Sequence, residues 1–504
     1  MPVPHRKSPT SLKVPGGGPT SSTSKAVQEV ALFEYGPITN DQTRLLNIHP
    51  RTPDGKITIS IRTVSIDELG SLHEYEALSY HRGIGKHEDP IYVQDFSDSG
   101  QGKVKAIFVT SNLYTALQHL RMDDLDVPMW VDAICIDQDN MEEKTAQVAK
   151  MCEIYRKAER VCIWLGWGNR SFSDAMKFVA EIVGSDTDSI FRDEENMFRW
   201  QDLALLMRSE WFSRRWVIQE LALAREATVH YGQEQVHWDD FRDTISLFAI
   251  HFDTIQSLFE KSKKFHYIPN PIGELDTLSA KVLADFTTNI FRKDRIFEPT
   301  IGLEYLVSTL YAFECYDPRD TIFALRNIAR ETPGLVPAKG YNEPPKPDYK
   351  KGLLEVYRDF VGWVFQTSKS LDLICRHWAL PERKEGPNSY SISCETLPSW
   401  ILMVGEGTGG KNGVSFVGPP GRPIYNASHR KDPQFMFEAD QSNNATLAKS
   451  GSKDDAPTGP NDDAPAQSGS NDDTPAQSGS NDNPPARSGS NDDAPAELND
   501  ATLV

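Results

Sequence analysis

The 504-residue chain carries 72 Asp and Glu against 53 Lys and Arg, a net charge of −19, and only 38% of its residues are hydrophobic. That balance argues against general nucleic-acid binding, which draws on Lys and Arg neutralising phosphates, and the hydrophobic share is low for one packed globule of this length. The sequence has no N-terminal apolar signal region and no apolar run of about 18 residues, so a cytoplasmic protein without a membrane span is expected.

Residues 1–27, rich in Pro, Ser, Gly and Thr, cannot bury a core and are expected to be disordered. Leu45–Ile48 and the alternating Ile57–Ile61 flank Pro53-Asp54-Gly55, the pattern of strand, turn, strand. Tyr75–Tyr80 reads as a short buried strand, and a helix begins at Ser111 as its cap, with Leu113, Leu117 and Leu120 on one face. The strand Met129–Ile136 follows, then a helix over Glu142–Ala158 with Val148, Met151 and Tyr155 at helical spacing, and a strand at Val161–Leu165. Ala175, Phe178, Val179 and Ile182 mark another helix. Trp211–Ala224 reads as helix and Ala227–Tyr231 as strand. Strands apolar on both faces that alternate with helices predict an α/β fold, a parallel sheet covered by helices.

Beyond residue 240 the pattern turns helical: Ile245/Phe248/Phe252, Leu275/Leu278/Val282, Leu303/Leu306/Leu310, and Tyr349/Leu353/Val356/Phe360 capped by Asp348, with a short strand at Leu371–Ile374. The expected organisation is an α/β domain over 28–239, a mostly α-helical domain over 240–430, and a disordered tail over 431–504. The tail repeats a ten-residue unit, as in Gly469-Ser470-Asn471-Asp472-Asp473-Thr474-Pro475-Ala476-Gln477-Ser478, without aromatic or β-branched apolar groups. The six cysteines form no C-x-x-C pair and read as reduced core thiols.

Five strings stand in order between residues 75 and 221: Tyr75-Glu76-Ala77-Leu78-Ser79-Tyr80, Trp130–Gln138, the Gln147/Met151/Ile154/Tyr155/Ala158 helix, Trp164-Leu165-Gly166, and Arg215-Trp216-Val217-Ile218-Gln219-Glu220-Leu221. Together they resemble the fungal heterokaryon incompatibility (HET) domain. Asp317-Pro318-Arg319-Asp320 and Pro347-Asp348-Tyr349 resemble segments that often follow that domain; the likeness weakens at Leu397-Pro398-Ser399-Trp400. The HET domain is in turn thought to be distantly related to the TIR domain, a flavodoxin-like α/β fold of cell-death signalling, some of whose members hydrolyse NAD. The Trp216-to-Glu220 spacing is that of the TIR string holding its catalytic carboxylate. On that correspondence Glu220 is the catalytic residue.

Cleaving the nicotinamide–ribose bond needs little machinery, because the leaving group already bears positive charge. One carboxylate can stabilise an oxocarbenium-like centre electrostatically. The contrasting reading pairs Glu220 with Arg214, Arg215 or Arg225 on a solvated helix face. Substrate contacts are expected from Ser79, Tyr80, His81, Arg82 and Gly83 after the first buried strand, from Asp132 near the end of the next, and from Trp216; the alternative for Asp132 is a capping carboxylate or an Arg partner. Two positions depart from the resemblance: Arg82 stands where an aromatic is usual and Asp137 where Asn is usual. Gly405–Asn412 nearly spells a P-loop, but Asn412 replaces the required Ser or Thr, so nucleotide binding there is not expected. No cluster has metal-ligand spacing, and no cofactor is implied beyond NAD as substrate. The expectation is a self/non-self recognition protein that triggers cell death by consuming NAD, with a protein partner or self-association as the trigger. The rival is a non-enzymatic signalling module acting by self-assembly or recruitment.

Overall fold

The computed structural model describes residues 11–12, 30–83, 87–94, 104–184, 188–265, 268, 270–275, 278–289, 299–332, 342–380, 397–398 and 401. The repeat tail, the Gly405–Asn412 loop and, Ser11–Leu12 excepted, residues 1–27 lie outside the described residues.

After two short strands, β1 (Ser11–Leu12) and β2 (Val30–Leu32), the expected hairpin forms from β3 (Gln42–Ile48) and β4 (Thr58–Ser65), paired antiparallel with Leu46 opposite Ile61. Gly55 holds its turn at φ +74°, a conformation costly for any residue with a Cβ. Next come β5 (Glu76–Tyr80), β6 (Asp89–Gln94), β7 (Val104–Val109), helix α1 (Ser111–Leu120) and β8 (Val127–Trp130). The chain continues through the one-turn helix α2 (Asp132–Cys135), α3 (Met141–Lys157), β9 (Val161–Trp164), α4 (Arg170–Val183), α5 (Met197–Leu206), α6 (Trp216–Leu223), β10 (Ala227–Tyr231) and β11 (Glu234–His237). The sheet order is β1-β2-β7-β6-β4-β3-β8-β5-β9-β10-β11.

Its centre is the expected parallel block, β8-β5-β9-β10, every neighbouring pair parallel. Numbered along the chain within the block, that order reads 2-1-3-4, the order of a flavodoxin-like sheet, which places a topological switch point between β5 and β9. On the β8 side the sheet runs on into the hairpin and then β6, β7, β2 and β1; on the β10 side β11 pairs antiparallel. These additions bury what would be edge strands of the block. Trp130 and Trp164 are fully buried on its strands; their indoles donate to Thr43 Oγ1 (3.2 Å) and Asn112 Oδ1 (3.0 Å).

Some local expectations change. Thr110, not Ser111, caps α1 by accepting from the Leu113 N–H, while the Ser111 hydroxyl donates to Asp89 (2.6 Å). The strand expected over Met129–Ile136 stops at Trp130 and turns into α2, because a continuous apolar run satisfies a buried helical turn as well as a strand. Asp132 therefore opens a helix just past the strand end. The helix expected over Trp211–Ala224 is broken: a 3₁₀ turn at Glu210–Ser213 ends at Arg214, and α6 starts at Trp216. α3 forms as expected, capped by Asn140, which accepts from the Glu142 and Glu143 N–H groups, with Arg156 and Lys157 in its last turn.

From Trp238 onward the described residues hold α7 (Trp238–Ile250), α8 (Phe252–Lys261), α9 (Ser279–Asn289), α10 (Leu303–Thr309), α11 (Asp320–Arg326) and α12 (Leu353–Ser368). Gly352 takes the N-cap position of α12; Asp348 instead turns the chain ahead of it, accepting from Lys350 N (2.9 Å). Leu371–Ile374 is not a strand but part of a 3₁₀ turn, Asp372–Cys375. Among the described cysteines, Cys135, Cys162 and Cys315 are buried and free, Cys152 is half-buried and Cys375 exposed. No helix among the described residues is long and apolar enough to cross a membrane.

Candidate functional site

β5 delivers Ser79 and Tyr80 at its carboxyl end, and His81, Arg82 and Gly83 follow directly beyond it. Asp132 stands just past the end of neighbouring β8. α6, nearly all of it buried, brings Glu220 to the same strand end, where its carboxylate accepts from the Ser79 hydroxyl. The chain thus gathers its charged groups at the carboxyl ends of the strands beside the switch point, where open α/β sheets bind ligands.

Glu220 is 3% exposed, and its carboxylate is held at both oxygens. Oε2 accepts a short hydrogen bond from the Ser79 hydroxyl, and Oε1 lies 3.7 Å from Arg214 Nη2. Ser79 Oγ accepts in turn from the Trp211 indole N–H at 2.8 Å. Burial raises the Glu220 carboxyl above the usual range, and the guanidinium of Arg214 and the Ser79 hydroxyl offset only part of that. The expected alternative of an Arg partner is therefore realised through Arg214, but in the interior and not on a solvated face. Arg215 does not reach Glu220; it donates to three carbonyls, those of Phe313, Thr321 and Leu310.

Asp132 Oδ2 accepts from Arg82 Nη2 at 2.8 Å, and Oδ1 from the Ala133 N–H at 2.8 Å. Burial works to raise this carboxyl, but Arg82 and Arg214 outweigh it and hold Asp132 below the usual range. Both alternatives weighed for Asp132, helix cap and Arg partner, are present at once. Tyr80 is buried, its carbonyl accepting from Arg214 Nη1, and burial beside Asp132 pushes its phenol up. His81 Nδ1 lies 3.0 Å from Glu210 Oε2 and accepts from Gly83 N, while the His81 carbonyl takes the Asn112 amide. Burial lowers the His81 imidazole, Glu210 opposing and Arg214 adding to the effect. Gly83 sits exposed at φ +76° with open space where a Cβ would project.

The structure thus brings together Glu220, Ser79, Tyr80, Arg82 and Asp132, with His81 and Gly83 at the rim. Trp216 is tied elsewhere: its indole donates to Asp320 Oδ2 at 3.0 Å, whose other oxygen accepts from the Tyr349 hydroxyl at 2.6 Å. Asp137 also serves a local turn, accepting from the Asp139 N–H ahead of α3. Arg214 was named from the sequence as one of three possible partners of Glu220; it lies in the break ahead of α6, where Glu314 forms a parallel bridge: Arg215 N donates to Glu314 O (2.8 Å) and Glu314 N to Ser213 O (2.6 Å). One member of the cluster was not assigned from the sequence. Tyr155 looked like an ordinary core position of α3, yet its hydroxyl donates to the Leu78 carbonyl (3.1 Å) and its phenol lies in the field of Glu220 and Asp132. Only its polar tip, in an otherwise apolar stripe, could have signalled this.

Two carboxylates and two guanidinia, alternating in sign, make a site that is neutral overall and strongly polar locally. Such an arrangement suits a ligand that develops positive charge beside Glu220.

Residues 75–220 match the family described as heterokaryon incompatibility protein (HET). Over 446 aligned residues the chain is 25% identical to heterokaryon incompatibility protein 6, OR allele, of Neurospora crassa, a match covering 76% of this chain and 61% of that protein. The chain therefore spans under two thirds of the length of this curated relative. No solved structure matches the chain.

Proposed function

We propose, from the HET domain that residues 75–220 form, that this is a fungal heterokaryon incompatibility protein whose domain triggers cell death by TIR-like hydrolysis of NAD. The observation that carries the enzymatic part is the buried Glu220 carboxylate, oriented by Ser79 at the switch point of a 2-1-3-4 parallel block. The nicotinamide–ribose bond breaks with its electron pair leaving on the pyridine nitrogen, so the ring departs neutral and no acid is needed. Positive charge then gathers on the ribose until a water molecule adds to its anomeric carbon and gives its proton to solvent, which completes the hydrolysis. Glu220, short of water and fixed in place, stabilises that charge better than a solvated carboxylate would. Arg82, its side chain 43% exposed, would meet the ligand first, with the less exposed Asp132 behind it.

A second reading, a non-enzymatic module acting by self-association or recruitment, draws on the same burial: Glu220 is fully engaged within the fold, as a structural ion pair would be. Purified protein incubated with NAD separates the two. An enzyme releases nicotinamide, and Glu220→Gln, which keeps size but not charge, lowers the rate at least about 100-fold, or about 2.7 kcal/mol, without loss of fold. Equal absence of nicotinamide from both folded proteins, with equal toxicity in cells, would leave the interaction module standing.

A further inference from the structure

The polar chain behind Glu220 has a direction fixed by chemistry. An indole N–H is a donor only. Trp211 Nε1 lies 2.8 Å from Ser79 Oγ, so Ser79 must accept there, and its one proton is left to point at Glu220 Oε2. That oxygen can then only accept. A proton placed on the other oxygen, Oε1, would face the Arg214 guanidinium at 3.7 Å, a donor-only cation. Both oxygens of a nearly inaccessible carboxylate are thereby presented with donors alone.

We propose that Trp211 is a positioning residue of this site: through Ser79 it favours the ionised, hydrogen-bond-accepting form of the Glu220 carboxylate and holds it in one orientation. This inference deepens the catalytic reading of Glu220, since a carboxylate that stabilises a developing cation has to be charged before the substrate arrives. Trp211 itself is 1% exposed, wedged edge-on against Phe212 with ring centres 4.9 Å apart, and so holds its N–H in one place. It occupies the 3₁₀ turn ahead of α6, while Ser79 comes from β5 and Glu220 from α6, so the wire joins three elements. The other charged and titratable groups around Glu220 are Arg214 beside α6, Arg82 beyond β5, Asp132 on α2 and Tyr155 on α3; none of them is bonded to Ser79 Oγ.

The test is the titration of the Glu220 carboxyl carbon by NMR in full-length protein, assigned by its disappearance in Glu220→Gln. Trp211→Phe keeps the ring packing and deletes the donor; Ser79 is then free to accept a proton from a neutral Glu220. The titration midpoint should rise in Trp211→Phe by about half to one pH unit, the worth of one neutral hydrogen bond. Ser79→Ala should raise it as well, and the double variant no further than Ser79→Ala alone. A wild-type midpoint in folded Trp211→Phe, or shifts that add in the double variant, would overturn the proposal. Should the phenylalanine variant fail to fold, benzothienylalanine at position 211, sulfur replacing the N–H in the same ring shape, is read by the same two criteria. The titration needs no turnover, so its outcome stands apart from whether NAD is cleaved; where nicotinamide is released, Trp211→Phe should lower kcat and leave KM unchanged.

Discussion

Glu220 carries its charge at a cost to the fold. Its carboxyl titrates above the ordinary range because burial strips its water and its partners return only part of the loss. A carboxyl whose folded value is raised contributes its full stability below its unfolded value and loses it as pH rises through the folded one. Glu220→Gln, neutral throughout, should therefore gain in melting temperature relative to wild type as pH climbs from about 4 to 8, which calorimetry across that range would measure. A difference that stays constant or shrinks with rising pH would contradict the raised value. At this scale Glu220, Ser79 and Asp132 were legible, because the Trp-to-Glu spacing and the strand ends mark them locally. Arg214 was legible only as one of three arginines that could pair with Glu220, because the bridge that holds it there involves Glu314, a hundred residues away. Trp211 reads as core, and is core; its donor matters only once Ser79 is known to face it.

Between elements, the decisive joint is the one at the start of α6. Arg215, fully buried, donates to the carbonyls of Leu310 (2.8 Å), Thr321 (3.0 Å) and Phe313 (3.1 Å). Trp216 adds Asp320, so the connection from the end of α10 to the start of α11 and the helix bearing Glu220 are fastened together. Arg215→Met would remove the charged donor from those three carbonyls, of which that of Leu310 keeps the Phe313 N–H, and should destabilise the fold by about 3 kcal/mol, with Arg215→Lys intermediate because an ammonium lacks the planar fork. Urea unfolding of both variants measures this, and a stability unchanged by Arg215→Met would mean the joint does not hold α6. On the central strands, Trp130→Ala and Trp164→Ala should each cost roughly 3–5 kcal/mol as large truncations in a closed core. The strands β5 and β9 were legible as continuous buried runs, and β10 by its alternation of buried and half-buried residues. β2, β6, β7 and β11 were not, since most of their side chains are only half-buried. A strand that gains its place mainly from backbone pairing leaves little hydrophobic pattern to read.

At the scale of the whole molecule, the apolar runs anticipate the parallel block but not its order, since they do not say which strand lies beside which; only the flavodoxin-like resemblance implied the order that the sheet has. The observed 2-1-3-4 order is what turns scattered motif residues into one site: it seats β5 between β8 and β9, so the chain ends after β5 and β8 converge on α6. The antiparallel strands on either side then cover the block's edges without reaching the cluster at its carboxyl ends. Binding of NAD at this switch point can be followed by titrating NAD into isotope-labelled Glu220→Gln, which should bind without turnover, and recording backbone and indole NMR shifts. Perturbations are expected to centre on Ser79–Gly83, Asp132–Ala133 and the Trp211 indole; saturating NAD that moves none of these signals, or moves a set at the amino ends of the strands instead, would place the ligand elsewhere and overturn the assignment.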